Sequence, residues 1–267
     1  MSREKLYRSL LDSAKKNYIA EPLIVGGIPR DLYRKKINQT NDDYFKKDVD
    51  ITTNDPESLR LAVSFASDTN SPFNIFEDSH SSVYVGDLVF DFSSNYISKR
   101  AVRYIESELG ISDKKMFEVY SRDFTINCLH KPLLESSLID LTKTSLEDIE
   151  NKVIKTVAPP QITLMDDKRR AWRALRFVAR FGYSIDDITI NYLRRHGHFF
   201  MPVERNKISE KYVSRIVDEC LEYNPELTIE SLRQLNMLSF VPLIGEFKKY
   251  IMQNNLIPEY LDGAKLL

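Results

Sequence analysis

Asp48 and Asp50 flank Val49 in the segment K-K-D-V-D-I-T-T. In an extended chain that spacing puts both carboxylates on one face, with Val49 and Ile51 directed into a core behind them. Two acids side by side repel, and a divalent cation between them relieves the repulsion. Upstream, Leu23 to Val25 is a short apolar run ending at Gly26-Gly27, followed by Arg30 and Asp31. This is the pattern of a buried strand delivering its backbone into a tight turn where side chains would obstruct a phosphate. Neither half is specific alone: an isolated Asp-x-Asp is usually a solvated turn, and Asp31 can simply cap a helix beginning near Leu32. Asp91 in L-V-F-D-F must face away from Phe90 and Phe92. It is either solvent-facing or, on a strand beside the one carrying Asp48 and Asp50, a third carboxylate of the same centre.

Two later stretches carry further polar chemistry. In S-R-D-F-T-I-N-C-L, Arg122 and Asp123 precede an apolar face of Phe124, Ile126, Cys128 and Leu129; alone, such a pair is commonly a structural salt bridge. In M-D-D-K-R-R-A-W-R-A-L-R-F-V-A-R-F-G-Y, Arg170, Arg173 and Arg176 recur at intervals of three and form a slanting ridge on a helix. No acid occurs from Lys168 to Tyr183, so these charges repel unless an anion is near. A solvated helix is the competing reading.

Joined in order, these motifs resemble the class II nucleotidyltransferases, the family of tRNA CCA-adding enzymes and bacterial poly(A) polymerases within the polymerase-β-like superfamily. The likeness runs over about residues 20 to 245 and includes a hairpin, His80 to Phe92, similar to the family's H-(G/S)-(T/S)-V … (V/F)-(D/E)-(V/F). The resemblance implies Gly26, Gly27 and Arg30 at the triphosphate and Asp48, Asp50 and Asp91 on magnesium. By the same resemblance Arg122 and Asp123 belong to the nucleotide site, the acid recognising the ribose 2′-hydroxyl, and Asp167 and Arg170 read the incoming base. Arg173 and Arg176 would serve the triphosphate or brace that pair. A carboxylate and a guanidinium together complement the amine and unprotonated ring nitrogen that cytosine and adenine share, whereas uracil and guanine leave them unpaired.

The sequence also departs from the family pattern. The polar connection Asn38 to Phe45 is several residues longer, Asn95 lies near the place of a usual arginine, and Ser121 stands where most relatives have another. Asp166 replaces a glutamate, and Asp140 is followed by Thr142, Lys143, Thr144 and Ser145 without the glycines proposed as a hinge. Residues 96 to 120, a mobile loop in the family, form a charged run read here as a solvated surface helix broken at Gly110. The chain ends where typical relatives continue into a helical tail that grips tRNA.

Positioning these residues requires an α+β fold. Leu6, Leu10, Leu11 and Ala14 predict a helix over 3 to 17, and Arg30 to Lys36 predicts one or two helical turns. Pro56-Glu57 starts a helix through about Ala66. Strands are expected over 73–76, 82–85, 88–92, 138–141 and 153–157, the second and third joined as a hairpin at Gly86-Asp87. Around Pro159-Pro160 the pattern turns helical. The expected architecture is a nucleotidyltransferase head with a small mixed β-sheet and flanking helices over 1–158, then an all-helical neck and body over 159–267, with helices near 188–196, 209–223, 228–235 and 238–253.

With 267 residues, 42% hydrophobic and 29% charged, the chain has the composition of a folded globular protein. A formal net charge of −1 supplies no global field for nucleic acid, so RNA contact must be local. Cys128 and Cys220 read as reduced, buried thiols, and with four scattered histidines they offer no zinc spacing. No window is apolar enough for a membrane span, and Glu4 and Asp12 oppose a transit peptide, so a cytoplasmic protein is expected. The expected activity is addition of C and A residues to tRNA 3′ ends from CTP and ATP with Mg2+. Poly(A) synthesis and CC-only or A-only addition are alternatives, and a non-catalytic RNA-binding accessory protein is a reading of another class. Oligomeric state is not legible.

Overall fold

The structure is a computed structural model and describes residues 2–38, 48–53, 58–76, 80–92 and 97–264. The connection expected over 38–45 falls almost wholly outside the described residues, as do the helix start at Pro56-Glu57 and Asn95. The chain divides into two compact units, Met1–Asn151 and Lys152–Leu267, a division seven residues before the predicted one.

The first unit runs α1 (Arg3–Lys16), β1 (Leu23–Ile24), α2 (Gly27–Asn38), β2 (Asp48–Thr52), α3 (Ser58–Asp68), β3 (Phe73–Ile75), β4 (Ser81–Val85) and β5 (Leu88–Phe92). It continues through α4 (Lys99–Ser107), α5 (Lys114–Ser121), β6 (Leu129–Pro132), β7 (Ile139–Asp140) and α6 (Ser145–Glu150). The strands form one sheet in the order β3-β4-β5-β2-β1-β6-β7. Within this sheet the central β2–β5 pairing is parallel and the other described pairings are antiparallel; β4 and β5 form the expected hairpin.

Alternation along the two central strands separates core from site. Val49 and Ile51 of β2 and Phe90 and Phe92 of β5 are fully buried with Leu6 and Leu10 of α1 and Phe65 of α3. The Phe65 ring meets Phe90 edge-on at 5.0 Å, and these contacts fix the sheet on its helices. The intervening residues of both strands therefore project from the opposite face. Helix α1 is started by Ser2, whose hydroxyl accepts from the Lys5 amide at 3.4 Å.

The charged run within 97–120 keeps the expected helical character and break at Gly110 but is not wholly solvated. It folds as two helices, α4 and α5, with Gly110 at φ +65° between them. Ala101, Ile105 and Val119 are buried, so the run carries an inner face that these short helices made hard to see as a period. Downstream, Asp140 accepts from the Thr142, Lys143 and Leu146 amides and the Thr142 hydroxyl at 2.7–3.1 Å. Lys143 holds φ +61°, a conformation glycine adopts at less cost. The absence of a glycine here thus accompanies a loop tied down by one carboxylate.

The second unit comprises β8 (Val153–Ile154), α7 (Pro160–Asp166), α8 (Arg169–Phe181), β9 (Ser184–Ile185), α9 (Asp187–Arg195), α10 (Glu210–Tyr223), α11 (Pro225–Gln234), α12 (Gly245–Gln253) and α13 (Ile257–Ala264). It is helical apart from the parallel β8–β9 pair, so residues 153–154 pair here rather than in the large sheet. The helix expected over 238–253 is divided into a 3-10 turn, Leu238–Phe240, and α12. Pro225 sits in the first turn of α11, moving its start ahead of Thr228. Trp172 anchors α8, donating from Nε1 to the Phe200 carbonyl at 3.0 Å. Both cysteines are buried and unbridged, and burial pushes the Cys220 thiol up to about 12. No helix among the described residues is long and apolar enough to cross a membrane.

Candidate active site

The parallel register sets Asp50 of β2 directly beside Asp91 of β5, and Asp48 beside Val89. All three acids lie on the face opposite Val49, Ile51, Phe90 and Phe92. Asp48 is exposed one pleat repeat away, whereas Asp50 and Asp91 are half-buried. Asp91 Oδ1 accepts from the hydroxyl of Ser82, its cross-strand partner, and His80 Nε2 lies 3.8 Å from the same oxygen. Among the described residues no three His, Cys, Asp or Glu side chains are gathered closely enough to hold a metal. The structure sets Asp50 beside Asp91, with Asp48 two residues along the same strand face.

Gly26 closes the other side of the pair. It follows β1, which pairs with β2, and the Val25 amide donates to the Asp50 carbonyl at 3.0 Å. Gly26 holds φ +72°, and a Cβ built there would stand 2.6 Å from Asp50 Oδ2. Backbone is thus brought against a site carboxylate as only glycine permits, immediately before the N-terminus of α2, where amide dipoles favour an anion. Gly26→Ala is expected to lower the melting temperature through left-handed strain of about 1–2 kcal/mol and that collision. In an Asp50→Ala background the collision is removed, so the penalty should shrink; a double-mutant cycle by thermal melting checks this.

The other predicted residues are held by partners of their own. Arg30, expected at the triphosphate, is only 3% exposed. Its Nε donates to Asp31 at 2.8 Å and its NH1 to Asn127 Oδ1 at 2.7 Å. Asn127 in turn donates to Asp123 Oδ1 at 2.9 Å, and the Phe124 amide donates to the same oxygen at 2.8 Å. Arg30 thus ties α2 to the R-D-F-T-I-N turn. Sequence reasoning missed Asn127 as the link, although it lies within the motif.

Arg122 donates to Glu118 Oε1 at 2.7 Å, and Thr52 of β2 donates to the other Glu118 oxygen. Nearby His130 is fully buried, with its Nδ1 2.9 Å from the Cys128 carbonyl. Burial, reinforced by the Arg122 charge, pushes its imidazole down to about 4. An unfolded histidine titrates near 6.5, so between pH 6.5 and 4 the unfolded chain takes up a proton that the fold refuses. Stability is expected to fall with decreasing pH through that window, by about 3 kcal/mol, and to level off for this group below it. Chemical denaturation of wild type and His130→Phe at several pH values tests this, since the variant should lose that part of the slope.

In the second unit acids stand near the arginine ridge, which relieves the repulsion that its spacing would otherwise impose. Asp167 accepts from Arg169 Nε at 2.8 Å and NH2 at 3.1 Å, and Glu219 of α10 lies 3.8 Å from Arg176. Burial raises the Asp167 carboxyl, but the Arg169 hydrogen bonds and charge outweigh it and hold the group below its ordinary range. Arg170 is 5% exposed, donates to the Thr163 carbonyl at 3.0 Å and lies 3.9 Å from Asp166. The structure therefore pairs Asp167 with Arg169 rather than with Arg170. Arg173 and Arg176 are half-buried near the Tyr212 ring of α10. His196 and His198 pack against Tyr192 and Phe199 at ring distances of 4.5 Å and 4.1 Å.

Residues 23–155 match the poly(A) polymerase head domain. The chain is 31% identical over 151 residues to the tRNA nucleotidyltransferase cca1 of Schizosaccharomyces pombe, covering 53% of this chain and 29% of that protein. It is 26% identical over 198 residues to the CCA-adding enzyme of Lactobacillus helveticus, covering 72% and 45%. A solved structure of a CCA-adding enzyme with ATP shares the fold, with a TM-score of 0.65 at 21% identity over 88% of this chain and 52% of that one. The chain thus spans about half or less of the length of these proteins. Motif order, strand register and these likenesses agree: the chain belongs to the class II family of CCA-adding tRNA nucleotidyltransferases and bacterial poly(A) polymerases.

Proposed function

We propose that the protein is a template-independent RNA nucleotidyltransferase that adds C and A residues to tRNA 3′ ends from CTP and ATP. The single observation that carries the reading is the side-by-side placement of Asp50 and Asp91 on the polar face of the sheet against the backbone of Gly26. The names of its relatives favour tRNA as the acceptor, and the ATP in the solved structure favours a nucleotide at this fold.

Nucleotidyltransferases generally use divalent metals, and the residues fit one: hard carboxylate oxygens, like-charged and adjacent, with no side chain between Gly26 and Asp50. Asp48, Asp50 and Asp91 would hold Mg2+, which when bound supplies positive charge to the reacting hydroxyl and the departing pyrophosphate. The protein's own groups do the positioning. Ser82 fixes Asp91 through Oδ1. Gly26, Gly27 and the first turn of α2 receive the triphosphate on backbone amides. Asp123 marks the ribose, and Asp167 with Arg170 selects the base, for which Asp167 must exchange Arg169 for the nucleotide. By the resemblance, Arg173 and Arg176 would serve the triphosphate or brace that pair.

The test is incubation of the protein and Mg2+ with each labelled NTP, singly and in pairs, on tRNA ending before CCA, after C or after CC, and on generic RNA. Addition of C, C and A that then stops is the expected result. Long A tails on generic RNA would establish a poly(A) polymerase, and arrest after CC, or A addition alone, a partial activity. RNA binding without incorporation would sink the enzymatic reading and leave an accessory protein.

A further inference from the structure

Glu118 lies in the charged run to which the sequence assigned no role. It is 4% exposed, and a carboxylate buried to that degree is stable only when paired and hydrogen-bonded. Its two oxygens are shared between different elements. Oε1 accepts from Arg122 NH2 at 2.7 Å across the C-terminal end of α5, and Oε2 accepts from the Thr52 hydroxyl. Thr52 stands at the end of the row Asp48, Asp50, Thr52, whose members share one face of β2. One carboxylate thus fixes the Arg122 guanidinium to the strand that carries the acidic pair, two residues beyond Asp50.

A buried ion pair is weak support for stability, since a packed apolar pair of similar volume does as well or better. The presence of this one therefore asks for a reason beyond folding. Arg122 Nε is buried and has no hydrogen-bond acceptor among the described residues, so Glu118 occupies NH2 and leaves a second donor of the same group. Burial alone would lower the guanidinium's affinity for its proton; the Glu118 charge and hydrogen bond, with Cys128 and the Asp50 charge, together outweigh it.

We propose that Glu118 is a positioning residue that holds Arg122 in register with Asp50, so that the guanidinium meets the incoming nucleotide in a fixed place. This rests on the reading of the site as a nucleotide site. Glu118 touches no reacting atom and acts through Arg122.

The test combines steady-state incorporation with titration of ATP in the absence of RNA. Glu118→Gln keeps the shape and removes the charge. It is expected to raise KM for the nucleotide and the ATP dissociation constant about tenfold together, with kcat changed less than threefold. In an Arg122→Met background the same change should add no further loss. Thr52→Val, which removes one of the two anchors and disturbs folding less, should shift KM in the same direction by a smaller factor. A fall in melting temperature with unchanged KM and ATP affinity, or equal KM effects with and without Arg122, would overturn the proposal and leave Glu118 a structural pair. If wild type binds ATP but transfers no nucleotide, the functional reading fails alone, and the proposal stands or falls on the ATP titration. If wild type binds no ATP, both fail.

Discussion

Asp50→Ala is expected to abolish nucleotide incorporation while leaving the fold and RNA binding intact. Asp50 joins the two halves of the acidic centre: it stands beside Asp91 across the parallel β2–β5 pairing, its backbone carbonyl accepts from Val25, and its Oδ2 abuts Gly26. Removing it takes away a ligand at the position where charge must be neutralised, an effect worth several kcal/mol in the transition state, or on the order of a thousandfold in rate. Stability should change little, because the variant relieves the repulsion between neighbouring carboxylates while giving up the attraction of Arg122, and Asp50 stands outside the buried core. Single-turnover incorporation and thermal melting on the same preparations separate the two effects. Unchanged incorporation would show that the chemistry lies elsewhere. A large loss of melting temperature would show that the acid is held for structure. Asp48→Ala should be the milder variant, since Asp48 stands exposed and apart from the pair.

The central strands were legible in the sequence because their signal is local. D-V-D-I-T and L-V-F-D-F alternate polar and apolar residues with a period of two, and a strand has no other way to bury Val49, Ile51, Phe90 and Phe92 together. Gly26 was legible as a turn, but its necessity came only from a distance in space, the approach of Asp50 from another strand. The partners of the later charges were not legible for the same reason. A guanidinium's partner is set by tertiary contact, so nothing in R-R-A-W-R-A-L-R-F said that Glu219 would stand opposite Arg176, or that Asp167 would turn to Arg169. Glu118 carried one local clue, its spacing of four from Arg122 on a helix, but the charged run around it hid the buried face.

Arg30→Ala is expected to cost more stability than a surface arginine could, about 3–5 kcal/mol, because it breaks a buried pair and strands its partners. The guanidinium joins Asp31 on α2 to Asn127, and through Asn127 to Asp123, so its removal leaves an acid and an amide without their principal donor in a dry interior. Activity would fall as well, since Asp123 and Gly26 lie on the two segments that this brace joins. Loss of activity alone therefore does not distinguish a brace from a phosphate ligand, and the conservative variant decides. Arg30→Lys keeps the charge but cannot reach Asp31 and Asn127 with two separate donors in a fixed fork. A brace predicts that Arg30→Lys melts at a markedly lower temperature with ATP affinity reduced only as far as the fold is loosened. A direct phosphate contact predicts the reverse: a melting temperature near wild type, and an ATP dissociation constant raised through loss of the planar, bidentate group. The near-complete burial of Arg30 makes the first outcome the expected one, and paired measurements of melting and ATP titration on the Ala and Lys variants settle it.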